Sequence, residues 1–336
     1  DVNIAELPYN DASVFELIQE GKTLGVFQLE SFGIRTLARK IKPSTLNDIT
    51  LLISLYRPGP QQSGMVKNFI ERKFGREKIE YIHKDLEPIL KETYGVILYQ
   101  EQAMQIAIKI AGYTFSEADE LRKAIVNLSK EKMLAQQNRF IKGGIANGYT
   151  PEVVNEIFNL ISKFASYAFV KAHAAAYAEI SYKTCYLKNY FPAEFLATIL
   201  TNNSGYYSKM QYIEEARRLG IKIKPPCINE SLSRKFSVED DGTAIRIPLI
   251  SVKNLGYVFS NLIIQEREKN GKFKDFVDFY IRINRSVLNN KILNNKINPK
   301  NKDTFKSREA VAKTTKSFSS SFKNSLDSNV SNNLDN

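Results

Sequence analysis

The chain has 336 residues, a formal net charge of +12 and 43% apolar residues, enough for about two domains with real cores. No apolar run approaches the roughly 20 residues that span a bilayer. The acidic N-terminus DVNIAELPYND has no secretory core, and two cysteines with two histidines make neither a disulfide framework nor a zinc cluster. A cytoplasmic protein with an anionic partner, nucleic acid first, is expected. The excess is uneven: residues 291–336 carry nine Lys/Arg against four Asp/Glu, or +5 of the total.

In chain order, LNDITLLISLY (46–56) predicts a helix that stops at Arg57-Pro58-Gly59-Pro60, where a rigid turn is expected. QEQAMQIAIKI (100–110) predicts another. Ser116 with Asp119 has capping-box spacing for the helix that carries Leu121, Arg122 and Lys123. Thr150-Pro151 places a cap and an N1 proline before Val154, Ile157, Phe158, Ile161, Phe164 and Ala165, which recur at helical spacing. Residues 174–191 predict a long helix, and Pro192 opens the next. Asn202-Asn203-Ser204-Gly205 reads as a linker, Ser208 and Gln211 as a helix start, and Gly220 as its stop. KFSVE and TAIRI flank Asp240-Asp241-Gly242 as a hairpin. Residues 249–268 read as helix, Gly-bearing turn, helix. From about 285 the chain turns rich in Asn, Lys and Ser, and its tail is expected to be disordered.

No HExxH, CxxC, GxSxG or Walker-type loop occurs. Asp240 and Asp241 could hold Mg²⁺, but their place before Gly242 favours a turn. Glu214 and Glu215 read as a solvated helix face, and Cys185 as a small core residue. What remains is a set of basic residues at marked places: Arg57 at a helix end, Arg122 and Lys123 after a capped start, and Lys171 and His173 just before a helix. Free N–H groups at helix N-termini attract phosphates, and Arg binds them through a bidentate fork. Tyr56, Tyr113, Tyr167, Phe169 and Tyr177 interleave with these positions, as core residues or as base-stacking platforms.

Seven blocks in order carry a resemblance: GVFQLES (25–31), SLYRPGPQQSGMV (54–66), YGVILYQEQAMQIA (94–107), LRKA (121–124), FASYAFVKAHAAAYAEISYKTCYLK (164–188), FPAEF (191–195) and PPCINES (225–231). Over nearly all of residues 1–290 the chain resembles the bacterial C-family DNA polymerase III alpha subunit. The resemblance implies a mainly α fold with a small β-hairpin element. It divides residues 1–290 into a palm-adjoining segment (1–9), a helical fingers domain (10–185) and a helix-hairpin-helix DNA-binding region (186–290), and the polar tail expected from composition to be disordered follows (291–336). It implies that Arg122 and Lys123, with Arg57, bind the incoming nucleotide. Lys171, His173, Lys253 and Gly256 are implied to meet DNA, Gly256 as the hairpin glycine.

The implied reaction is attack of a primer 3′-hydroxyl on the α-phosphate of a dNTP, with loss of pyrophosphate, between two Mg²⁺ ions. The resemblance puts the metal-holding palm aspartates outside this chain, so it implies no catalytic residue and no metal ligand here. The implied partners are primer-template DNA, dNTP, a palm-bearing remainder of the polymerase and replisome subunits, with no membrane. The alternative is a non-catalytic DNA-binding remnant of a split or degraded gene. Two departures bear on it. The usual A-M-G-K-K is replaced by residues 124–130, without the glycine, and F-N-K-S-H becomes Phe169-Val170-Lys171-Ala172-His173.

Overall fold

The computed structural model describes residues 2–62, 64–127, 130–164, 169–203 and 205–297. The expected disorder beyond 297, Tyr167, and the centre of the altered loop at 128–129 lie outside the described residues. The fold is mainly α with a small sheet, and it divides into two compact units, residues 1–192 with 205–208 and residues 193–204 with 209 onward.

The first unit opens with α1 (Ala12–Gln19), α2 (Phe32–Ile41), α3 (Leu46–Leu55), α4 (Pro58–Gln62) and α5 (Met65–Lys73). In α2, Ile34, Leu37, Ala38 and Ile41 are buried at i, i+3, i+4 and i+7, so one stripe faces inward. Lys42 then turns left-handed, and Pro43 prevents continuation. The Thr45 side chain caps α3 by accepting from Asp48 N, and residues 48–55 are all buried, which makes α3 the centre of this half. Pro58-Gly59-Pro60 does not form the expected turn. It opens α4, because prolines in a helix's first turn replace N–H groups that have no intrahelical partner.

After α6 (Glu87–Leu90), four helices pack on one another: α7 (Gln100–Ala111), α8 (Phe115–Val126), α9 (Lys130–Ala146) and α10 (Pro151–Phe164). Val154, Ile157, Phe158, Ile161 and Phe164 are all buried, as their spacing predicts. The long helix α11 (Lys171–Tyr190) lies against α3 and α1. Three buried groups on it reach back to the first residues of the chain. Ser181 Oγ donates to Phe27 O at 2.9 Å, Lys188 Nζ to Leu24 O at 2.8 Å and Tyr182 Oη to Pro8 O at 2.8 Å. Cys185 is core, as expected, and burial pushes its thiol up.

The second unit contains α12 (Pro192–Asn202), α13 (Lys209–Arg218), β1 (Lys222–Lys224), β2 (Ser237–Glu239), β3 (Ala244–Arg246), α14 (Tyr257–Asn270) and α15 (Phe276–Ile297). The sheet order is β1-β3-β2, with Ile223 opposite Ile245 in the parallel pair and Val238 opposite Ile245 in the antiparallel one. The expected hairpin is thus β2–β3, and a third strand joins it. Asp240 and Asp241 both have positive φ in its turn, and Asp240 pairs with Lys224 at 2.6 Å, consistent with the turn reading. Glu215 is not on a solvated face: it is buried and takes two hydrogen bonds at 2.7 Å from Arg218. Arg282 joins α15 to α14 by donating to the Glu266 carboxylate and to the carbonyls of Glu266 and Gly271. α15 runs to Ile297, the last of the described residues.

Candidate nucleotide and nucleic-acid interface

Three groups of basic residues stand out. The first is on α8. The expected Ser116–Asp119 capping box forms two residues earlier: Thr114 N donates to Glu117 Oε2 at 2.8 Å, and Glu117 N to Thr114 Oγ1. Asp119 is therefore left to bind both cations, Arg122 Nε at 2.7 Å and Lys123 Nζ at 2.8 Å. Hydrogen bonds from Lys123 and then Arg122 hold its carboxyl below the usual range. Leu121, Ala124 and Ile125 bury the other side of the helix, so the pair stays accessible in the second half of α8 rather than just after its start. One carboxylate against two cations leaves the group positive.

The second group lies where α3, α7 and α11 meet. Arg57 Nε donates to Ser54 O at 3.2 Å, and its guanidinium lies 3.9 Å from the Phe169 ring centroid. Burial pulls Arg57 below its ordinary value, with Tyr99 opposing. Phe169 is fixed by its own backbone, which bridges Tyr99 and accepts from Gln100 N at 2.8 Å. His173 continues the aromatic row, edge-on to Phe169 at 5.6 Å and 4.0 Å from Tyr177. Lys171 and His173 do not precede the helix. α11 begins at Lys171, and the Lys171 amide already donates to both carboxylate oxygens of Glu101 at 3.1 Å. Lys171 Nζ pairs with Glu92 at 2.7 Å. Lys171 is thus held by two carboxylates, whereas Arg57 and His173 are held by aromatic rings.

The third group is in the second unit. One 3₁₀ turn (Leu249–Ser251) replaces the helix expected there; exposed Lys253 and left-handed Asn254 (φ 66°) follow. Leu255 is buried, and Gly256 is the N-cap of α14 at φ −74°. Asn254, not Gly256, takes the unusual backbone, as Asn tolerates the left-handed region. A Cβ on Gly256 would meet nothing within 4 Å. The fold therefore does not demand a glycine here. Its effect is to leave the first amides of α14 open, with no side-chain cap over them.

Residues 1–148 match the bacterial DNA polymerase III alpha subunit finger domain, and residues 220–311 match a helix-hairpin-helix motif. The chain is 43% identical over 293 residues to DNA polymerase III subunit alpha of Aquifex aeolicus (strain VF5), covering 87% of this chain and 25% of that protein. It is 43% identical over 294 residues to the Staphylococcus aureus (strain Mu50 / ATCC 700699) subunit, covering 87% and 27%. The chain belongs to the bacterial DNA polymerase III alpha subunit family. It spans about a quarter of the length of the curated relatives it matches.

Within that family frame, the finger match contains Arg57, Arg122 and Lys123, and the helix-hairpin-helix match contains Lys253 and Gly256. Lys171 and His173 lie between the two. The similarity to polymerase III alpha subunits implies a metal-dependent polymerase, but among the described residues no three His, Cys, Asp or Glu side chains gather into a site that could hold a metal ion. No helix among them is long and apolar enough to cross a membrane. Asp119 was legible from its i, i+3, i+4 spacing to the basic pair. Glu92 and Glu101 were not, since only the tertiary fold brings them to Lys171.

Proposed function

We propose that this chain holds the incoming nucleotide and the DNA backbone in template-directed DNA synthesis by a DNA polymerase III alpha subunit. The observation that carries the proposal is the Arg122–Lys123 pair, set on one accessible side of α8 and joined to a single carboxylate. A triphosphate offers more negative charge than Asp119 and takes its place. Arg122 grips two oxygens through its fork, and Lys123 adds a point charge. Arg57, stiffened by Phe169, is the third nucleotide contact, and His173 and Tyr177 present ring faces to a base.

In the second unit, the open amides after Gly256 and the Lys253 ammonium receive duplex phosphates without reading sequence. Lys171 braces the α7–α11 junction through Glu92 and Glu101. In the reaction of the family, a primer hydroxyl attacks the α-phosphate and pyrophosphate leaves. The residues named here orient the triphosphate and the duplex for that step.

The test is fluorescence anisotropy of a labelled hairpin duplex titrated with the full chain. Affinity should fall by at least about tenfold between about 50 and 200 mM salt, as counterion release requires. Undetectable binding, or binding indifferent to salt, would contradict the proposal.

A further inference from the structure

A cleft of about 940 Å³ lies between α2 and the α4–α5 segment, apart from the three groups above. Tyr56, the residue before Arg57, is among the residues that line it. The tyrosine lies directly on α2, because a Cβ at Gly33 would come within 2.2 Å of its hydroxyl. Lys40, Lys42, Lys67 and Arg76 line the cleft with one carboxylate, Glu71, which pairs with Arg76 at 2.8 Å. Among the described residues, no carboxylate pairs with the other three cations. Two phenylalanines stand among them in water: Phe32 is 76% exposed and Phe74 41%.

Exposed aromatic rings between unpaired lysines suit a strand whose bases are free to stack and whose phosphates need neutralising. A duplex hides its base faces and uses only the charge. We propose that this cleft binds single-stranded nucleic acid, the unpaired template strand, leading it past Tyr56 toward Arg57. The inference rests on the polymerase reading above, and it adds a binding surface that the three basic groups do not include.

The experiment compares two probes on the full chain by anisotropy: an oligothymidylate of about twelve nucleotides, within the usual single-strand site size, and a blunt hairpin duplex. Replacing the exposed lysines together (Lys40→Gln, Lys42→Gln, Lys67→Gln) should lower the log–log salt slope for oligothymidylate by about 2, from roughly 0.7 per phosphate contact. Phe32→Ala with Phe74→Ala should weaken oligothymidylate roughly 30-fold or more, at about 1–3 kcal/mol per stacked base, while leaving its salt slope unchanged. Neither variant should move duplex affinity by more than about twofold, since the duplex is held through Lys253 and Gly256. Equal losses on both probes, or no loss on oligothymidylate, would overturn the inference and leave duplex holding intact. So would polyglutamate competing as well as oligothymidylate at equal charge, which would mark an acidic protein segment as the occupant. A wild-type chain that bound neither probe would overturn the function proposed above as well.

Discussion

Lys73→Met should destabilise the first unit by breaking a pair that ties α5 to α3. Asp48 sits in the first turn of α3 and Lys73 in the last turn of α5, with side chains 10% and 11% exposed. Asp48 also accepts from Ser44 N at 2.9 Å and Ser44 Oγ at 3.2 Å. Removing one partner of a buried pair costs about 3–5 kcal/mol. The two Ser44 bonds and the helix N-terminus still favour the stranded carboxylate, which brings the expected loss to about 2–3 kcal/mol.

The pH dependence has a definite sign. Burial alone raises the Asp48 carboxyl, but hydrogen bonds from Lys73 and Ser44 outweigh it, so the group lies below its ordinary 3.8. In the wild type its stabilisation is present above the unfolded value and is lost as pH falls through the folded one. Without Lys73 the folded value rises, and protonation then relieves the variant. The gap between variant and wild type should therefore narrow from about pH 7 to pH 4. Urea denaturation read by hydrogen exchange on peptides from α3 and α5 isolates this unit. A loss under about 0.5 kcal/mol, within the range of ordinary surface substitutions, or a gap that widens with acid, would refute the reasoning.

Gly256→Asp should leave thermal stability unchanged or slightly raised, since Asp caps helices well and a Cβ meets nothing there. Its charge should cut duplex affinity at least about tenfold in anisotropy, through like-charge repulsion at the interface. Asp119→Asn frees both cations on α8, so calorimetry should find nucleotide binding tightened and stability reduced by no more than about 1 kcal/mol, the scale of an exposed pair. Gly33→Ala should lower urea stability by about 1–3 kcal/mol by forcing Tyr56 off α2; an unchanged midpoint would mean that the ring moves away freely.

Much of the architecture was legible because it is local. The cap and apolar spacing of α10 are written in Thr150-Pro151 and the five buried residues that follow, and Asp240-Asp241-Gly242 marks its own hairpin. Proline breaks a helix only from within, and Pro58 and Pro60 start one here. At the turn before α14, Asn254 rather than Gly256 takes the left-handed conformation usually assigned to glycine. The candidate sites were legible as residue types but not as surroundings. Arg57 on Phe169, or Lys171 between Glu92 and Glu101, arises only when segments about 70 or more residues apart meet.

The central claim, that the α8 pair grips a triphosphate, is tested most directly by titrating a fluorescent dATP analogue into the full chain and into an Arg122→Ala, Lys123→Ala variant with intact stability. Losing charge-assisted hydrogen bonds from the pair should weaken binding roughly 10- to 100-fold or more. Equal affinity for both proteins would contradict the account.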